Sequence, residues 1–133
     1  MDPAGAGQPI VLVGRVPGND DAPRAARDLL GGLDHAFVIS NERLADLHVA
    51  VSELVTNAVI HGPPGDVAVR VAANDETIRI EVSDDGLDAF EWPEEGRDEH
   101  WGLDIVKAFT DRCGVERRPW TVAWCEVDLH RGE

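Results

Sequence analysis

Glu53, Asn57 and His61 stand four residues apart within LADLHVAVSELVTNAVIHG, residues Leu44–Gly62. If that stretch is helical, a carboxylate, a carboxamide and an imidazole stack in one row on successive turns. A carboxylate one turn from an amide oxygen can hold a water, or a hard cation such as Mg²⁺ that takes few protein ligands and completes its shell with water and phosphate oxygens. The carboxylate can also act on a water or hydroxyl as a general base. The same two side chains can instead hydrogen-bond a neighbouring loop and do nothing more, and the pattern alone does not choose.

Two later stretches carry chemistry of their own. In Val82–Asp88 (VSDDGLD), Asp84 ends a β-type run and Gly86 lets the backbone turn, which fixes a carboxylate acceptor at a sheet edge. An exocyclic amine is a suitable donor to it, and an ordinary acidic turn is the plain alternative. In His100–Val115 (HWGLDIVKAFTDRCGV), Gly102 and Leu103 open a helix, and backbone N–H groups at a helix start can receive an anion such as phosphate.

The elements that must position these residues follow from periodicity. Leu44, Leu47, Val51, Leu54, Val55 and Ala58 share one side of a 3.6-residue helix, the apolar stripe of a core-facing element. Glu53, Asn57 and His61 run along its margin, with Val49 and Ile60 expected to close in from beyond. Ser40 or Asn41 caps this helix, and Gly62-Pro63-Pro64-Gly65 breaks it. Pro9–Val16 reads as a first strand and 22–30 as a helix capped by Asn19 or Asp20, with Arg24, Arg27 and Asp28 exposed. Asp66–Ala73 and Thr77–Ser83 alternate as a hairpin with one wet face. Leu87–His100 is too long for a simple connector and reads as a lid. A helix then runs to about Arg112, and 120–129 forms a last strand after a turn at Pro119.

The chain has 133 residues, which suits one core and one domain, 9–133, behind a frayed Gly/Ala/Pro-rich tail at 1–8. Lys and Arg number 12 against 26 Asp and Glu, a formal charge of −14 that repels a phosphate backbone and argues against nucleic acid. Cys113 and Cys125 are too few for a disulfide framework and have no metal-ligand spacing, so free thiols in a reducing, cytoplasmic compartment are expected. No apolar run approaches a membrane span, and no signal peptide is recognisable.

The three chemical stretches, in this order, resemble the GHKL ATP-binding superfamily of gyrases and histidine kinases. They are most similar to its small branch of RsbW-like anti-sigma factor serine kinases. ELVTNAVIHG is similar to the N box, VSDDG to the adenine-binding D-x-G box, and HWGLDIVKAFTDRCGV to the second glycine box. The resemblance covers about Ile10 to Leu129 and implies an α/β two-layer sandwich. Its mixed, mostly antiparallel sheet carries three helices on one face, the histidine kinase-like ATPase fold.

It also implies ATP and Mg²⁺ as cofactors. Glu53 takes the place of the general-base or water-orienting carboxylate and Asn57 that of the Mg²⁺ ligand, while His61 ends the box near the phosphates. Asp84 corresponds to the acceptor of the adenine amine, and Gly86 lets the base approach. Gly102 and Leu103 end the phosphate box, and Thr121 stands where a Thr often nears adenine in the last strand. A sigma factor and an antagonist (anti-anti-sigma) protein are the implied partners, and a homodimer is compatible with the pattern.

The chain also departs from the family pattern. Asp88 replaces the second glycine of D-x-G-x-G, and His100 the first of G-x-G-L. Pro119-Trp120 stands where Gly-Lys often precedes the last-strand Thr. Asp88, Glu91, Glu94, Glu95, Asp98 and Glu99 face a nucleotide's charge with Arg97 alone to offset them. A nucleotide-binding interaction module without phosphoryl transfer is therefore the main alternative, and a ligand-free α+β protein the second.

Overall fold

The computed structural model describes residues 10–33, 39–62, 64–83, 103–117 and 121–130. In chain order they form β1 (Ile10–Val16), α1 (Ala22–Leu30) with a 3-10 turn at Gly31–Leu33, α2 (Asn41–His61), β2 (Val67–Ala73), β3 (Thr77–Ser83), α3 (Leu103–Phe109), β4 (Arg112–Arg117) and β5 (Thr121–Asp128). The fold is an α/β sandwich of five strands and three helices, in the order β1-β2-β3-β5-β4, with all four strand pairings antiparallel.

Local chemistry sets the boundaries. Ser40 Oγ accepts the Arg43 N–H at 3.0 Å and caps α2. At the far end the Gly62 N–H closes on the Ala58 carbonyl at 2.9 Å. Between β2 and β3, Asn74 Oδ1 accepts the N–H groups of Glu76 at 2.8 Å and Thr77 at 2.9 Å, an Asx turn that fixes the hairpin register. Gly65 has φ +122°, and a β-carbon on Gly18 would come within 2.1 Å of the Gly65 carbonyl oxygen. The loop after β1 thus rests directly on the turn that follows α2, and only glycine fits there.

Alternation along the strands makes the two layers. Val67, Val69, Val71 and Ala73 of β2, Ile78, Ile80 and Val82 of β3, and Ala123, Cys125 and Val127 of β5 are buried on one face. Against them lie Leu47, Val51, Leu54, Val55 and Ala58 of α2, with Leu30, Leu33 and Val106 filling the sides. Helix α2 crosses β2, β3 and β5, while α1 packs over β1 and α3 over β4. The uncovered sheet face is mixed, with Val11 and Val13 exposed on β1 and a charged cluster across β3 and β5. Arg79 donates to Glu81 at 2.7 Å and Glu126 at 3.0 Å, and its guanidinium lies 4.4 Å from the centre of the Trp124 ring.

Several expectations are corrected. The last helix stops at Phe109, and Arg112 begins a strand that periodicity did not reveal. Buried Thr110 turns its hydroxyl back onto the Val106 carbonyl at 2.7 Å, and β4 then pairs along β5 from Arg112↔Glu126 to Arg117↔Thr121. Gly114, in mid-strand, hides the alternation of Cys113 and Val115; a β-carbon there would meet the Trp124 indole at 3.1 Å. The first-helix cap is Asp21, without a side-chain bond, and Asn19 instead accepts the Asp21 N–H at 2.8 Å. Arg27 is not a free surface cation, because its Nη1 donates to Ser52 Oγ at 2.9 Å. Ile60 does not close the seam; it is 64% exposed. The tail at 1–8 and the acidic loop through His100 lie outside the described residues.

Candidate functional site

Helix α2 has two flanks, and their chemistry differs. Ser52 marks the flank toward α1, where Arg27 seals it. Arg43, Asp46, Ala50, Glu53 and Asn57 follow one another at spacings of three and four and make the flank toward α3. The N-terminal end of that flank is pinned. Arg43 bridges Asp46, Asp111 Oδ2 at 3.3 Å and the Asp128 carbonyl at 3.1 Å, joining α2 to the α3–β4 turn and to the end of β5. Asp111 also accepts the Asp128 N–H at 2.7 Å. With Arg43 and Asp111 only 13% and 10% exposed, this ion pair is shielded from the solvent that weakens surface pairs.

Two turns further along, the flank changes character. Asn57 is 5% exposed, and its Nδ2 finds no hydrogen-bond partner. Such an orphan costs on the order of 1–3 kcal/mol. Thr110, the other buried polar residue among those described, has its hydroxyl satisfied. The Trp124 indole nitrogen is also orphaned, but it is held by packing between Gly114 and the Arg79 guanidinium. The Asn57 carboxamide is both donor and acceptor, and half a turn about its terminal torsion exchanges the two.

Glu53 lies partly buried one turn before Asn57, about 6 Å along the axis at 1.5 Å per residue, and His61 lies partly buried one turn after it. The helix thus brings the three expected residues into one row. Among the described residues no three His, Cys, Asp or Glu side chains gather as a metal cage. A hard cation beside Asn57 would draw most of its oxygens from phosphate and water, as Mg²⁺ does. An amide oxygen with a nearby carboxylate fits that demand.

The other expected residues are distributed unevenly. Leu103 is the first residue of α3 and packs partly buried against the core. Thr121 is the first residue of β5, opposite Arg117. Asp84 and Gly86 follow directly on β3, and they lie outside the described residues, as does Gly102. Sequence reading missed the Arg43–Asp111 pin. The i, i+3 pair Arg43–Asp46 was a visible hint, but its third partner is 68 residues away.

The histidine kinase-like ATPase domain family matches residues 16–123, which is most of the chain. The chain belongs to this family. Among solved structures, the crystal structure of the RsbU and RsbW domains of Rv1364c from Mycobacterium tuberculosis superposes with a TM-score of 0.66 at 23% sequence identity. The match covers 90% of this chain and 32% of that one, so this chain spans about a third of its length. No curated protein matches in sequence. No described helix is long and apolar enough to cross a membrane.

Proposed function

We propose that this domain binds ATP with Mg²⁺ along the α3-facing flank of α2 and serves as an anti-sigma factor serine/threonine kinase. The acceptor is a seryl or threonyl hydroxyl of an antagonist protein, and a sigma factor is the regulated partner. The observation that supports the reading is the buried carboxamide of Asn57, its Nδ2 without a partner, one turn from the Glu53 carboxylate. Asn57 would hold the metal through its amide oxygen, and the bound Mg²⁺ supplies charge neutralisation for the phosphoryl group. Glu53 accepts the proton of the attacking hydroxyl or orients it. Asp84 accepts the adenine amine, Gly86 admits the base, and Thr121 stands near it. His61, Gly102 and Leu103 border the phosphates.

Asp88 and His100, in place of motif glycines, favour a second reading, a module that binds nucleotide without transferring phosphate. One experiment separates the two: single-turnover transfer of labelled γ-phosphate to the cognate antagonist, with wild type and Glu53→Gln. A group acting mainly in the transition state leaves ground-state binding alone, so we expect near-native ATP affinity and a rate lower by roughly a hundredfold or more. Undiminished transfer by Glu53→Gln removes the catalytic role. A wild type that binds ATP in the presence of its partner yet never transfers phosphate selects the module.

A further inference from the structure

Outside the nucleotide flank, the described residues bring two reactive side chains together that no part of the proposed function uses. Cys113 of β4 and Cys125 of β5 are direct partners in the antiparallel register, and both are free thiols. Directly opposed residues project to the same face, here the helix-covered one, since Cys125 sits in the core between Ala123 and Val127. Such pairs hold their Cα atoms about 4.5–5.5 Å apart. That separation falls inside the roughly 4.4–6.8 Å range of protein disulfides. The ladder has therefore already done the positioning that a disulfide needs.

The two thiols differ in access. Cys125 is fully buried, whereas Cys113 is only partly buried on the sheet's outermost strand. Burial pushes the Cys125 thiol up to about 12, with Cys113 adding to the rise. Burial raises Cys113 too, but Lys107 and the Thr110 hydroxyl pull against it. Cys113 is thus the thiol that meets an oxidant, and Cys125 is the one waiting behind it. Three residues before Cys113, the Thr110 hydroxyl donates to the Val106 carbonyl at 2.7 Å and closes α3, so β4 begins where that helix ends.

We propose that Cys113 and Cys125 form a reversible cross-strand disulfide, a redox latch between β4 and β5 that changes how the end of α3 is held. The oxidant class is a small-molecule disulfide. The Cys113 thiolate attacks one sulfur of it, forming a mixed disulfide and releasing one small thiolate. The Cys125 thiol, giving its proton to the departing small thiolate, then attacks Cys113 Sγ and releases the second small thiol. The protein pair loses two protons and two electrons, and the small disulfide is reduced to two thiols. Tying β4 to β5 two residues after Asp111 constrains the turn in which α3 ends.

The test uses the full chain treated with excess oxidised glutathione and then alkylated after denaturation. Expected is a mass lower by two hydrogens, no retained glutathione, loss of both alkylatable thiols, and restoration by dithiothreitol. Cys125→Ala should stop at a glutathione adduct on Cys113, and Cys113→Ser, at the more open site, should keep one alkylatable thiol and form no adduct. Hydrogen exchange should show altered protection at the α3 amides of the oxidised wild type. The proposal is overturned by a wild type that keeps both thiols, that retains glutathione on Cys113, or that unfolds when the pair closes. Unchanged α3 exchange in the oxidised form removes the latch.

Discussion

The two flanks of α2 are built from one helix and one stretch of sequence, yet they differ in how completely their polar groups are satisfied. Toward α1, Arg27 reaches 25 residues along the chain to bond Ser52, and among the described residues no buried side-chain polar atom there is orphaned. Toward α3, Arg43 and Asp111 close one end, and Asn57 is then left buried with an unused donor. A structural flank minimises orphaned groups because each costs stability without return. On the proposed reading, the Asn57 orphan is a group that a bound ligand would satisfy. The contrast is local: among the described residues, the one orphaned buried side-chain group of α2 lies on its α3-facing flank, where the proposed site is.

The largest expected effect tests the pinned end. Arg43→Ala removes three contacts at once from a shielded cluster and takes from Asp111 the cation that joins it to α2, a loss of about 3 kcal/mol. Urea denaturation followed by far-UV circular dichroism measures it. A loss below that of Ser52→Ala would mean that the α3 flank is no better anchored than the other.

Asn57→Leu sharpens the contrast directly. A side chain with the same branched heavy-atom skeleton but no polar atoms removes the orphan, and this gain offsets the crowding of its larger methyl groups, so stability should hold. Calorimetry should show ATP affinity lower by at least about tenfold, the loss expected when a polar contact to the ligand disappears. A variant that is clearly destabilised while binding ATP normally would make Asn57 structural.

Ser52→Ala is the counterpart on the sealed flank. It deletes one partly buried hydrogen bond from Arg27, which costs about 1 kcal/mol, and ATP affinity should not change. The same titration checks both flanks.

The smallest effect lies away from both, on the open sheet face. Arg112 holds the carboxyls of Glu126 and Asp128 below the usual carboxylate range through its hydrogen bonds. A carboxyl with a depressed folded value adds stability above its unfolded value and loses it as pH falls through the folded one. Stability should therefore decline from about pH 4 downward, near the ordinary carboxyl range. Arg112→Ala should flatten that decline slightly, because Arg112 is solvent-exposed and screened. An unchanged acid limb in the variant would assign the decline to other groups.

The sequence by itself determined what short-range physics governs. The bounds of α1, the Ser40 cap, the Gly62 stop and the Asn74 hairpin turn are all legible because propensity, capping and alternation act within a few residues. So is the row Glu53–Asn57–His61, since helix periodicity alone aligns it. Tertiary structure decided the rest. The strand β4 exists because β5 offers it a ladder and Gly114 makes room for Trp124, neither of which a six-residue window contains. It also decided that Ile60 stays exposed, that Arg27 and Arg43 close opposite flanks, and that Cys113 meets Cys125. Burial and partnership depend on what arrives from distant parts of the chain, and the spacing of neighbours along it carries no record of that.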